Sequence, residues 1–126
     1  MKRYNKNFNI AKNKIFKYYD DLIEPKGYQF FSVEKKAWKR VIALLKNIPD
    51  EKKGYCDLTE NKIYISDWAL IRGGDILLEI LLFELLCITF PKCTEKEILK
   101  MTRDRMHHME KENSDVDVKA IERWRY

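Results

Sequence analysis

The sequence predicts one helix-rich α+β domain over residues 1–126, in which a short β-hairpin packs beside a buried central helix. Two observations indicate this fold class: a continuous apolar segment of helical length, and two short runs of strand character just before it. A length of 126 residues with 45% hydrophobic side chains fits a single domain with a core of its own.

The central helix is predicted between Gly73 and Pro91. Twelve apolar side chains cover every face of residues 76–90, as in a helix that is buried in a core or in a membrane. These residues span only about 22 Å as a helix, less than the hydrocarbon layer of about 30 Å. The segment also carries Glu79 and Glu84. We therefore expect a core helix of a soluble domain and no membrane partner.

Three elements are predicted before the hairpin. Apolar residues repeat at spacings of three and four in a helix over residues 10–22, which Pro25 and Gly27 follow. Residues 28–31 form either a short strand or an extended connector. Residues 33–48 carry an apolar stripe that includes Trp38 and predict a second helix with a basic outer side.

The hairpin is predicted from residues 55–58 and 62–66. The second run alternates with period two, which places Ile63 and Ile65 on one face and Tyr64 on the other. Three intervening residues are a suitable length for the turn.

Two helices are predicted after Pro91. Thr94 and Glu97 have the spacing of a capping box, which starts a helix that runs to about Lys111. Its apolar stripe consists of Ile98, Met101, Met106 and Met109. Residues 112–115 break the pattern, and residues 116–126 predict a short docked helix.

One segment of the central helix resembles the zinc helix of small zincin-type metallopeptidases, including SprT-like and phage-encoded forms. The segment is Phe83-Glu84-Leu85-Leu86-Cys87, followed by Phe90-Pro91. In that family the motif His-Glu-x-x-His places two Zn²⁺ ligands on one helix face, with the Glu as general base. Here Glu84 matches the base, whereas Phe83 and Cys87 occupy the ligand positions, and Phe offers no donor atom.

The resemblance covers about residues 54–98. It includes Gly-Tyr-x-Asp at 54–57, Ile-x-Ile at 63–65 and the acidic pair Glu95 and Glu97. It implies a minimal zincin-like fold whose active site is degenerate, with Glu84 as a remnant of the catalytic base. In the zincin plan the hairpin lies beside the zinc helix, and its edge strand binds extended peptides by strand addition.

The resemblance suggests a pseudoenzyme encoded by a phage or another mobile element, which acts as a binding or regulatory module with a protein or peptide partner. No cofactor is expected. The alternative is a metal-dependent peptidase with an atypical zinc site around Glu84 and Cys87. The other donors in the sequence are the thiols Cys56 and Cys93, and the candidates to complete such a site are Glu95, Glu97, His107 and His108.

The charge distribution favours a third hypothesis, a basic protein that binds nucleic acid. Residues 1–46 carry a net charge of +8 and the remaining residues −3. The candidate phosphate contacts lie in the predicted second helix: Lys35, Lys36, Lys39 and Arg40.

The amino terminus and the cysteines bear on localisation. The chain starts with a charged, polar segment without the apolar run of a secretory signal. Three cysteines are an odd number, and their spacing matches no disulfide framework or metal knuckle. We therefore expect a protein of the reducing cytoplasm.

Overall fold

Four helices and three strands make up the part of the chain that the structure describes. The structure is a computed structural model, and it describes residues 2–22, 29–33, 54–57, 62–112 and 116. In chain order the elements are α1 (Lys2–Tyr18), β1 (Gln29–Val33), β2 (Gly54–Asp57), β3 (Lys62–Ser66), α2 (Asp67–Arg72), α3 (Gly74–Thr89) and α4 (Glu95–Glu112). The helix-rich α+β class is confirmed. No helix in these residues is long and apolar enough to cross a membrane.

Helix α3 is the predicted central helix, and its burial is confirmed. α1, α2, α4 and β2 all pack against it. Five leucines near its middle are completely inaccessible to solvent: Leu77, Leu81, Leu82, Leu85 and Leu86. The helix is capped by Gly73, which has φ +61° and ψ −149°, and Asp75 follows in the first turn. At the other end Phe90 N donates to Leu86 O at 2.8 Å, and Pro91 then stops the helix.

The predicted hairpin is also confirmed, and it belongs to a three-stranded sheet. β3 lies in the centre, with β2 antiparallel on one side and β1 parallel on the other. Ile63 and Ile65 face the core, whereas Tyr64 between them is half-buried, as the alternation predicts. The open choice for residues 28–31 is settled as a strand from Gln29 onwards. The parallel orientation of β1 could not be predicted, because no local pattern in residues 29–33 specifies which strand they pair with or in which direction.

The predicted bounds of the first helix are wrong at both ends, since α1 begins at Lys2 and ends at Tyr18. Apolar spacing marks only the turns that meet the core, whereas the first turns are polar. Asn7 helps to hold these first turns against α2, because its Nδ2 donates a hydrogen bond to Leu70 O at 2.7 Å. After Tyr18 the chain turns towards α4, and Leu22 is buried without being helical.

Two further predictions need correction or lie outside the described residues. Val33 ends β1, so the predicted helix over residues 33–48 cannot start there, and the rest of that segment lies outside the described residues. The same holds for the predicted helix over 116–126, apart from Val116, which is buried. Helix α2 was not predicted; it starts where Ser66 Oγ accepts a hydrogen bond from Trp68 N at 3.2 Å.

The capping box at the start of α4 is confirmed in both directions. Thr94 N donates to Glu97 Oε1 at 2.9 Å, and Glu97 N donates to Thr94 Oγ1 at 3.1 Å. The hydrogen bond from the Thr94 backbone lowers the pKa of Glu97. Ile98, Met106 and Met109 form the buried stripe of this helix, and the helix ends at Glu112.

One arginine of α4, Arg105, binds the turn that follows α1. Arg105 donates two hydrogen bonds to the carboxylate of Asp21, at 2.8 and 2.7 Å. Its guanidinium carbon lies 4.7 Å from the centre of the Tyr19 ring, and the Tyr19 hydroxyl donates to Arg105 O at 2.7 Å. Paired, planar contacts of this kind are the strongest form of surface ion pair. They hold the turn that follows Tyr18 against α4.

Replacing Asp21 by Asn should destabilise the protein in a pH-dependent way. The hydrogen bonds from Arg105 lower the pKa of Asp21 in the folded state, so the stabilisation is present above the unfolded value of about 3.9 and is lost as the pH falls through the lower, folded value. Asp21 is half exposed, so we expect a loss of only about 1 kcal/mol at pH 7.

Urea unfolding at pH 7 and at acidic pH measures this effect, with Asp20→Asn as the matched control on an exposed neighbour. The free energies of unfolding of the two variants should differ at pH 7 and become equal below the pKa that Asp21 has in the folded state. An equal loss in both variants at pH 7 would show that the contact with Arg105 contributes nothing.

Candidate functional site

The strand β2 meets α3 at the level of Glu84. A Cβ atom placed on Gly54, the first residue of β2, would lie 2.8 Å from Ile80 Cγ2 and 3.4 Å from Glu84 Cγ. Real Cβ atoms do not approach a methyl group so closely, so the absence of a side chain allows this contact. The hairpin therefore lies beside the central helix, as predicted, and it does so at the motif.

One side of α3 differs from the rest of the helix. At 100° per residue, five side chains share a side, which we call the motif face: Ile76, Ile80, Phe83, Glu84 and Cys87. Four of them are half-buried, whereas the leucines on the other sides are fully inaccessible. The side chains of the motif face are therefore more accessible to solvent than the leucines on the other sides of α3.

Glu84 is the buried polar member of the motif face, with 3% of its surface exposed. Burying a carboxylate within an apolar helix costs several kcal/mol unless other groups compensate for the lost water. Glu79 is also buried, but it lies five residues earlier and points about 140° away around the helix. The two acidic side chains therefore do not form a catalytic pair on one face.

Of the five side chains on the motif face, only those of Glu84 and Cys87 carry donor atoms for a zinc ion. Phe83 and Cys87 pack partly against the hydrophobic core, and of the two only Cys87 has a donor atom. A stable zinc site needs three or four protein donors that converge on one point. Within the described residues no three metal-binding side chains do so.

The downstream donors are separated along α4. Glu97 already accepts a hydrogen bond in the capping box, and Glu95 precedes it in the same turn. His107 and His108 lie ten or more residues further on, about 15 Å along the helix. His107 Nδ1 lies 3.8 Å from Glu110 Oε1, and the His108 ring centre lies 6.0 Å from that of Tyr19. The structure thus does not bring these four residues together.

The predicted phosphate contacts cannot be placed. Lys35, Lys36, Lys39 and Arg40 lie outside the described residues, so their role stays a prediction. A basic surface that the sequence did not single out lies instead on α1, whose side chains Lys6 and Lys17 are exposed. The sequence signal for this surface is the complete absence of acidic residues from position 2 to 18. The net charge summed over residues 1–46 does not show this local feature.

Comparison with known proteins identifies no relative. No protein-family model matches the chain, and no curated protein or solved structure is significantly similar to it. The likeness to zincins therefore rests on the motif in α3 and on the position of the hairpin beside it.

Proposed function

We propose that the chain is a non-catalytic, zincin-like module that binds an extended peptide along β2, beside the motif face of α3. One observation carries this proposal: β2 is an edge strand of the described sheet, and it lies directly on the motif face through Gly54. The protein would bind an extended peptide as a zincin peptidase binds its substrate, but it would not cleave the peptide.

The edge position of β2 supports strand addition. Among the described strands β2 pairs only with β3, through the register Gly54↔Ile65 to Asp57↔Lys62. An edge strand presents backbone donors and acceptors to an incoming strand, and alternate side chains of that strand then face one side of the sheet. The apolar side chains of the motif face favour a peptide with apolar residues at alternate positions.

Neither position 83 nor position 87 carries the histidine of the zincin motif, and this supports binding without hydrolysis. A zinc-dependent peptidase needs a metal-bound water next to its general base. Phe83 cannot bind a metal ion, and the described donors do not converge near Cys87. A peptidase with an atypical site has no comparable support from the geometry.

Peptide binding and peptide cleavage should be measured on one sample. A fluorescent peptide of alternating apolar and polar residues is titrated with the protein in the presence of zinc, and mass spectrometry follows its integrity. We expect saturable binding and an intact peptide. Cleavage that disappears in Glu84→Gln would overturn the proposal in favour of an enzyme, and absence of binding would remove the binding function.

Backbone-modified peptides serve as matched controls. N-methylation at every second residue removes the donors from one edge of an extended peptide and leaves the other edge intact. One of the two methylation patterns should abolish binding, and the complementary pattern should preserve it. If both patterns bind equally well, the peptide does not add to the sheet as a strand.

A further inference from the structure

Helix α1 carries a concentrated positive charge. It contains six Lys or Arg residues and no acidic residue in 17 positions. Helix α4, of similar length, contains five basic and five acidic residues. Lysine-rich composition alone would affect both helices alike, so the charge of α1 is a property of that helix.

The exposed side of α1 forms a straight stripe. Ala11 and Ile15 are buried in the core and fix the orientation of the helix. Opposite them, at spacings of four, three and four residues, lies a set of exposed side chains that we call the basic stripe: Lys6, Ile10, Asn13 and Lys17. It is about 16 Å long, and the half-buried Lys14 flanks it, about 70° around the helix from its middle.

We propose that the basic stripe binds the phosphate backbone of double-stranded nucleic acid. Three lysines, Lys6, Lys14 and Lys17, lie along and beside one helix face and provide a polyanion with a row of phosphate contacts and no competing carboxylate within the helix. This proposal is independent of the peptide-binding function, because it uses a different helix and a different kind of partner.

The surroundings favour a duplex over a single strand or a membrane. Single strands are bound by exposed aromatic rings, but Phe8, Phe16 and Tyr18 all pack against the core. A membrane-surface helix needs an apolar face for the lipid, and Ile10, at 52% exposure, is the one apolar side chain of the stripe. Charge, rather than stacking or insertion, is what this surface offers.

The affinity for a 20-base-pair DNA duplex should depend steeply on salt. Three phosphate contacts give a log–log slope of about −2.7, which is a loss of roughly 40-fold between 50 and 200 mM salt. The double variant Lys6→Glu/Lys17→Glu should reduce the slope to about −0.9, a loss of roughly 3.5-fold over the same range. Fluorescence anisotropy at several salt concentrations measures both slopes.

The matched control reverses two exposed lysines on α4, Lys96→Glu/Lys111→Glu. It changes the net charge equally and leaves the basic stripe intact. Lys6→Gln/Lys17→Gln, which removes the charges without adding new ones, should give an intermediate affinity and the same slope change. Circular dichroism confirms that each variant is folded.

Three results would overturn the assignment. They are the absence of duplex binding at 20 mM salt, an equal loss of affinity in the α4 control, and tighter binding to anionic vesicles or to polyglutamate with the same dependence on Lys6 and Lys17. A reduced slope confined to the α1 variants supports it.

Discussion

Replacing Gly73 by alanine is expected to lower the free energy of unfolding by about 3 kcal/mol. Gly73 adopts φ +61° and ψ −149°, a region open essentially to glycine alone. An added Cβ would also lie 2.9 Å from the Asn7 side chain, which binds Leu70 O and so holds α1 against α2. Both effects act at the junction between α2 and α3. Thermal and urea unfolding measure the loss.

Gly74→Ala is the matched control for this prediction. Gly74 has a similar φ of +59°, but apart from its chain neighbours and the backbone of its own helix no heavy atom lies within 4 Å of the position of its Cβ. We expect a cost of about 1 kcal/mol from backbone strain alone. Equal destabilisation by the two variants would mean that the contact between Gly73 and Asn7 has no part in positioning α1.

The double variant Phe83→His/Cys87→His is expected to bind zinc more tightly than the wild-type chain does. The two side chains share the motif face one turn apart, which is the ligand spacing of the zincin helix. Because binding stabilises the folded state, zinc at 100 times its dissociation constant should raise the unfolding free energy by about 2.7 kcal/mol. Zinc titration and thermal unfolding with and without zinc measure the gain.

A variant with a single histidine separates paired from unpaired coordination. Phe83→His/Cys87→Ala retains one ligand and should gain little affinity, since one side chain cannot hold the ion. If the double-histidine variant is folded and binds zinc no better than this control, the third ligand is missing or the resemblance to zincins is accidental.

The central part of the fold could be predicted because its signals are local. The apolar length of α3, the alternation in β3 and the capping box of α4 are all encoded in consecutive residues. By contrast, the ends of α1 depend on Asn7 and on the contact between Asp21 and Arg105, whose partners lie more than 60 positions away. No periodicity within residues 2–22 can reveal such partners.

The candidate site was predictable to a similar extent. The spacing of Phe83, Glu84 and Cys87 indicated one helix face, and the resemblance to zincins implied that the hairpin lies beside it. The contact of β2 with α3 at Gly54 confirms that the hairpin lies there. The separation of Glu95 and Glu97 from His107 and His108 follows from the uninterrupted helix α4. The sequence predicted that helix, so this separation could be predicted, whereas the packing of α4 against α3 could not, because it depends on where the elements lie in space.

Peptide binding by two proline variants of β2 tests the proposed function most directly. In a strand, consecutive N–H groups point to opposite edges, so of Tyr55 and Cys56 one points towards β3 and the other away from it. Proline at the inward position removes a hydrogen bond of the hairpin and lowers stability, whereas the outward position tolerates it. We predict that the proline variant with wild-type stability fails to bind the extended peptide. Wild-type peptide affinity in that variant would contradict strand addition at β2.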